Sequence, residues 1–151
     1  LEVQKITPKI YNHFKKIKPE VIEFRPLEKL KIENKTDEPA DTNFWLRCKE
    51  TTPNEVKIQH QLLAYISDYG LLRTATLPHR KELSLGSTIY ASIDHAIWFH
   101  RDFSLDNWLL YTIDSPSASN SRGFSRGSIY DQSGLLVAST AQEGLIRQII
   151  S

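Results

Sequence analysis

The sequence contains no methionine, not even at position 1, where Leu1 stands, and only one cysteine, Cys48. Translation begins with Met, so the absence marks the chain as an expected excised or processed piece. No secretory leader accounts for the loss, because the opening residues are charged and lack a continuous apolar stretch. A lone cysteine excludes an internal disulfide framework and suits a reducing compartment. Long apolar runs are missing too, and none approaches the roughly 20 residues that cross a bilayer. No glycine-rich phosphate loop, C-x-x-C pair or H-E-x-x-H is present, which removes the strong nucleotide and zinc signatures. Lysine disappears after Lys81, and the last 70 residues hold four arginines. The net charge of +1 divides into +4 over residues 1–19 and −3 over the rest. Tyr11, Phe14 and Ile17 interleave with the early lysines as in a solvated amphipathic segment, and a body near −3 lacks the broad basic footprint of a nucleic-acid binder.

What is there describes an ordinary soluble domain. The 151 residues are 40% hydrophobic and 25% charged, and a chain of this size can hide roughly 70% of its unfolded surface without a disulfide or metal. Residues 1–20 read as a linker-like segment and 21–151 as a single domain. Val21-Ile22-Glu23-Phe24 and Phe44-Trp45-Leu46-Arg47-Cys48 read as strands. Residues 34–41 form a polar loop, whose Asn34-Lys35-Thr36 sequon has no secretory context. Thr52 as N-cap and Pro53 at the first position predict one long helix ending near Gly70. Its stripe is Ile58, Leu62, Tyr65, Ile66 and Tyr69. Residues 89–100 alternate as one strand, with Ile89, Ala91, Ile93, His95, Ile97 and Phe99 on one face. Strands at 108–113, 123–130 and 135–146 follow in meander order, the last two joined by the turn Asp131-Gln132-Ser133-Gly134. The pattern predicts an α+β domain, an antiparallel sheet around one long central helix.

Few residues advertise chemistry. Asp94, His95 and His100 are the nearest metal-like cluster, yet Asp94 and His100 stand about 20 Å apart on a straight strand and His95 points the other way. Ser92, Ser115, Ser117, Ser119 and Ser121 are nucleophiles by type, but none lies in a G-x-S-x-G elbow. Cys48 reads as a buried packing thiol. Asp68 lies on the flank of the helix stripe near its C-terminus, where the dipole disfavours a negative charge. It is either a surface acid or, if the sheet wraps the helix, a semi-buried carboxylate able to bind a water or act as a base. Gln142, in a buried-looking strand, is either a satisfied polar group or an amide that orients a water or polarises a carbonyl.

Together, Ala64-Tyr65-Ile66-Ser67-Asp68, the run Ser92-Ile93-Asp94-His95-Ala96-Ile97-Trp98-Phe99-His100-Arg101, Trp108-Leu109-Leu110-Tyr111, Ser121-Arg122-Gly123 and Val137-Ala138-Ser139-Thr140-Ala141-Gln142-Glu143-Gly144 resemble the acyl-CoA thioesterase II family. The match runs in order from about Asn43 to Arg147. The resemblance implies a hotdog fold, with this chain as the C-terminal half of a double-hotdog enzyme. It implies hydrolysis of fatty acyl-CoA to free fatty acid and CoA by an activated water, with no cofactor and no metal. The family's acid, hydroxyl and amide fall on Asp68, Ser92 and Gln142, and Asp94, His95, Trp98 and His100, conspicuous in the signature, read as sheet packing and hydrogen bonding rather than catalysis. The expected partners are the substrate and either an N-terminal hotdog half or a second copy, giving a homo-oligomer without nucleic acid or a membrane span. The expected compartment is peroxisomal in a eukaryote and cytoplasmic in a bacterium, and not secreted. A non-catalytic acyl-binding or assembly domain and a hotdog enoyl-thioester hydratase are the alternatives.

Overall fold

The computed structural model of the chain describes residues 21–27, 37–83 and 87–149. The linker-like segment 1–20, the sequon at Asn34 and the final Ile150-Ser151 lie outside them. Among the described residues, seven strands and two helices follow in the order β1 Ile22–Pro26, β2 Asp41–Cys48, α1 Val56–Ile66, α2 Leu71–Thr76, a 3₁₀ turn Leu77–His79, β3 Thr88–Ser92, β4 Ala96–Phe99, β5 Leu109–Ser119, β6 Arg122–Tyr130 and β7 Leu136–Gln148. All pairings are antiparallel, in the order β1-β2-β5-β6-β7-β3, with β4 also on β7. An antiparallel sheet curled around a helix is the hotdog arrangement that the resemblance implied.

Alternation along the late strands makes the inner face. Leu109, Tyr111 and Ile113 of β5, Ile129 of β6 and Val137 and Ala138 of β7 are buried with Leu63, Ile66 and Leu71 from the helices. Facing α2, β6 presents Gly123 and Ser125. A Cβ on Gly123 would come within 2.6 Å of the Ala75 side chain, so only glycine lets the helix lie this close to the sheet. Ser125 Oγ donates to the Leu71 carbonyl at 2.8 Å and fastens the start of α2 to β6. Gly70, at φ +96°, turns the chain between the helices in a conformation that side chains resist.

The expected elements differ from this arrangement in three ways. The helix begins at Val56 with Glu55 as an N-cap that makes no side-chain bond. Thr52 is engaged elsewhere: its N–H and Oγ donate to Asp106 Oδ1 at 2.8 and 2.7 Å. The buried face of α1 is Gln59, Leu63 and Ile66, while Tyr65, expected in the inner stripe, is 57% exposed. The apolar stripe is broader than the strip of helix that the sheet covers, so periodicity fixed the helix and left its rotation open.

The second difference is in the late strands. They are not a simple meander: β5, β6 and β7 are, but the strand after the helices pairs with β7, and β2 pairs with β5. The third lies within residues 89–100, which form two strands. Ser92 opposes Gly144 and Ile97 opposes Thr140. Gly144 and Thr140 are four residues apart on β7 and share its inner face, so Ser92 and Ile97 face the same way although their odd and even positions predicted opposite faces. The three residues between β3 and β4 absorb the change. Ile93 N–H donates to the Glu143 carbonyl at 2.9 Å, and Asp94 Oδ1 accepts the Glu143 N–H at 2.6 Å.

Candidate active site

The break between β3 and β4, the end of α1 and the middle of β7 meet at one place. α1 ends with Ser67 as its C-cap, which leaves Asp68 as the next residue, exposed at the helix end. Gln142 lies on the inner face of β7, opposite Ser125 of β6, and is 2% exposed. Its Nε2 donates to Asp68 Oδ1. The structure therefore joins two of the three residues expected from sequence, across 74 positions. The semi-buried setting weighed for Asp68 is replaced by an exposed residue with one oxygen drawn inward, because the helix stops one residue before it.

The Ser92 side chain makes no hydrogen bond among the described residues. Pairing with Gly144 puts it on the same sheet face as Gln142, one pair removed along β7. The register thus brings Ser92 alongside the Asp68–Gln142 pair, and the structure records no direct bond to either. Among the described residues, Gln142 Oε1 is buried without a hydrogen-bond partner. Nε2 is committed to the carboxylate, so the free end of this amide can only accept.

The cap residue is fixed on three sides. Its N–H donates to the Leu63 carbonyl at 2.8 Å. Tyr111 OH, from β5, donates to the Ser67 carbonyl at 2.9 Å and lies 2.7 Å from Thr140 Oγ1 of β7. Since the phenol's one proton goes to the carbonyl, Thr140 is the donor in that second bond. His95 Nε2 lies 2.9 Å from Ser67 Oγ, which donates to the Ala64 carbonyl at 3.2 Å.

Burial sets the charge states of these groups. It pushes the Tyr111 phenol far up, partly opposed by the Thr140 bond and reinforced by the Asp68 charge. Tyr69 is pushed up to about 12 by burial, by its contact with Tyr65 and by the neighbouring Asp68. Burial lowers the His95 pKa, with Asp68 and Asp94 opposing. Burial thus favours the neutral forms of Tyr69, Tyr111 and His95 around the Asp68 side chain.

Ser67, His95, Tyr111 and Thr140 were missed as members of this site. Tyr111 carried the clearest signal, a hydroxyl in an apolar strand that must find a partner once buried. The three metal-like residues go separate ways: Asp94 takes the Glu143 N–H, His95 takes Ser67, and His100 Nε2 lies 2.9 Å from Ser139 Oγ. Cys48 is buried in the core, where burial and nearby Asp106 push its thiol up.

The family model described as acyl-CoA thioesterase matches residues 20–145. The chain belongs to the acyl-CoA thioesterase family. Acyl-CoA thioesterase 2 of Haemophilus influenzae is 46% identical over 114 residues, which are 76% of this chain and 40% of that protein. Acyl-coenzyme A thioesterase 8 of Mus musculus is 41% identical over 105 residues, 69% of this chain and 32% of that one. An acyl-CoA thioesterase II from Mycobacterium marinum superposes with a TM-score of 0.76 at 35% identity, covering 88% of this chain and 51% of its own. The match thus spans less than half the length of the first two proteins and about half of the third. Among the described residues, no helix is long and apolar enough to cross a membrane.

Proposed function

We propose that the chain supplies the catalytic carboxylate of a fatty acyl-CoA thioesterase, with Asp68 as general base and Ser92 and Gln142 holding the attacking water. The observation that carries this reading is the bond from buried Gln142 to Asp68, which leaves Gln142 Oε1 as an unpartnered acceptor beside a carboxylate. An oxyanion would call for a donor at that position. An acceptor suits a water, which gives one O–H to Gln142 Oε1 and the other to Asp68 while its lone pair faces the thioester carbon. As the water oxygen bonds to the carbonyl carbon, Asp68 takes its proton and the carbonyl oxygen becomes an alkoxide. The alkoxide reforms the carbonyl, the C–S bond breaks and the proton passes from Asp68 to the departing sulfur, which releases fatty acid and CoA. Ser92, on the same sheet face, contributes a hydroxyl to the water or to the carbonyl oxygen.

The same proposal includes a pairing partner, either an N-terminal hotdog half or a second copy. Its support is the open side of β3, where Ile89, Tyr90 and Ile93 are exposed at 44%, 39% and 51%. An apolar edge strand of this kind calls for cover. The compartment follows the host in this reading, cytoplasmic in a bacterium and peroxisomal in a eukaryote, on the family resemblance.

Thiol release from a fatty acyl-CoA tests the reading. Asp68→Asn keeps the size and the bond acceptor but not the base, so turnover should fall by at least about 100-fold with the melting temperature little changed. Near-normal turnover of Asp68→Asn would overturn the assignment. Binding of acyl-CoA by the wild type without thiol release would favour an acyl-binding domain, and double-bond loss from an unsaturated acyl-CoA would favour a hydratase.

A further inference from the structure

Ser67 fixes the place of Asp68, and its hydroxyl is held by His95, a residue the sequence left outside the catalytic set. The proton arrangement follows from the contacts. Ser67 Oγ has one hydrogen and a backbone carbonyl, that of Ala64, at 3.2 Å. If that hydrogen goes to the carbonyl, His95 Nε2 must be the donor across the 2.9 Å contact. The other tautomer would leave a buried Nδ1–H without an acceptor, whereas this one leaves Nδ1 as a bare lone pair. Nδ1 has no partner among the described residues, and an orphaned acceptor is the milder fault in a folded chain. A proton passed along this array would strand the one on Nε2, so the imidazole serves as a fixed neutral donor.

The position of His95 is itself built by the strand break. Asp94, directly before it, is pinned to the Glu143 N–H, and Glu143 directly follows Gln142 on β7. One face of the break therefore holds the residue beside Gln142, and the other holds the residue beside Asp68. We propose that His95 is a positioning residue for the Asp68–Gln142 pair, donating Nε2–H to Ser67 Oγ so that the helix end and β7 keep the register in which the carboxylate meets the amide. The proposal rests on the thioesterase reading for its consequence in turnover, and on the Asp68–Gln142 bond alone for its geometry.

The experiment compares wild type, His95→Ala and His95→Gln in the whole chain, with two readouts. Gln Nε2 can reach the place of the imidazole Nε2 and restore the donor, and Ala cannot. For a positioning role, His95→Ala should lower kcat by about ten- to a hundredfold while KM stays within about twofold, and His95→Gln should recover most of the loss. The second readout is the pair of side-chain amide proton signals of Gln142 in ¹H–¹⁵N spectra, which needs no activity. These should be widely separated in wild type and His95→Gln and collapse toward a free amide in His95→Ala. If His95→Ala does not fold, Ser67→Ala, which removes only the receiving hydroxyl, should give the same collapse. Unchanged Gln142 signals in a folded His95→Ala or Ser67→Ala would overturn the proposal, as would a kcat loss that Gln fails to restore. If the wild type releases no thiol, the thioesterase reading fails and the Gln142 signals alone decide the role of His95.

Discussion

Replacing Tyr111 by Phe removes a single oxygen at the point where β5, β7 and the end of α1 are tied together. Tyr111 is fully buried, and its hydroxyl donates to the Ser67 carbonyl while accepting from Thr140. The Phe variant keeps the ring and orphans two buried groups, the Ser67 carbonyl and the Thr140 hydroxyl. A buried group left unpaired costs about 1–3 kcal/mol. Some recovery comes from rotation of the threonine, so the expected loss is about 2–4 kcal/mol. At about 3 °C per kcal/mol for a chain of this size, the melting midpoint should fall by about 6–12 °C. Thr140→Val is the partner experiment: it removes one donor, leaves the phenol bonded to Ser67, and should cost about 1 kcal/mol. Once the phenol is gone the threonine hydroxyl has no mate, so the double variant should be more stable than the two single losses predict, by about 1 kcal/mol. Urea unfolding of the four proteins, with slopes compared to exclude a change in the denatured state, measures all of this. A Tyr111→Phe loss below about 0.5 kcal/mol, or strict additivity with Thr140→Val, would refute the reasoning that this hydroxyl bridges strand to helix.

Gly127→Ala should destabilise by about 2–3 kcal/mol, because a Cβ there would collide with the Tyr111 ring and the Thr140 hydroxyl, both fixed by their own bonds; a thermal melt within 2 °C of wild type, roughly the scatter of a neutral surface change, would contradict it. The half-buried imidazole predicts a pH dependence. Burial lowers the His95 pKa against the opposing charges of Asp68 and Asp94, so the unfolded chain takes up its proton first. The contribution is fully present above the ordinary histidine value of about 6.5 and is lost as pH falls from there toward the folded value. The urea midpoint should therefore fall between about pH 7 and pH 5, and His95→Gln should flatten that slope. Equal slopes in the two proteins would remove His95 as the cause. Glu23, Asp106 and Asp131 have lowered pKa values: burial raises that of Glu23, but its bonds to Arg25 and Arg47 outweigh it, and hydrogen bonds hold down the other two; they lose their contribution only at more acidic pH.

The positions of the strands other than the divided run at 89–100, the presence of a helix across 56–66 and the turn at Asp131-Gly134 could be read from periodicity and turn chemistry. These depend on residues within about ten positions of one another, and in the turn Asp131 Oδ1 accepts from Ser133 N–H and Leu135 N–H at 2.9 and 3.0 Å, as such a sequence dictates. The choice of Asp68, Ser92 and Gln142 comes from motif resemblance; residue chemistry alone leaves Asp68 and Gln142 with two readings each and Ser92 as one of five candidate serines. What no local pattern contained was the change of face between β3 and β4. A strict alternation of residues 89–100 puts Ser92 opposite Ile97 in facing, and only pairing of both segments to β7 required the chain to slip between them. That slip leaves Ser92 and Ile97 on one sheet face and sets His95 against Ser67. Likewise the rotation of α1, which exposes Tyr65 and buries Gln59, was decided by where the sheet ends and not by the helix's own stripe. Residue order set the elements and the chemical groups available. Tertiary contact decided which of them meet, because a carboxylate and an amide 74 positions apart have no common geometry until helix and sheet are packed on each other.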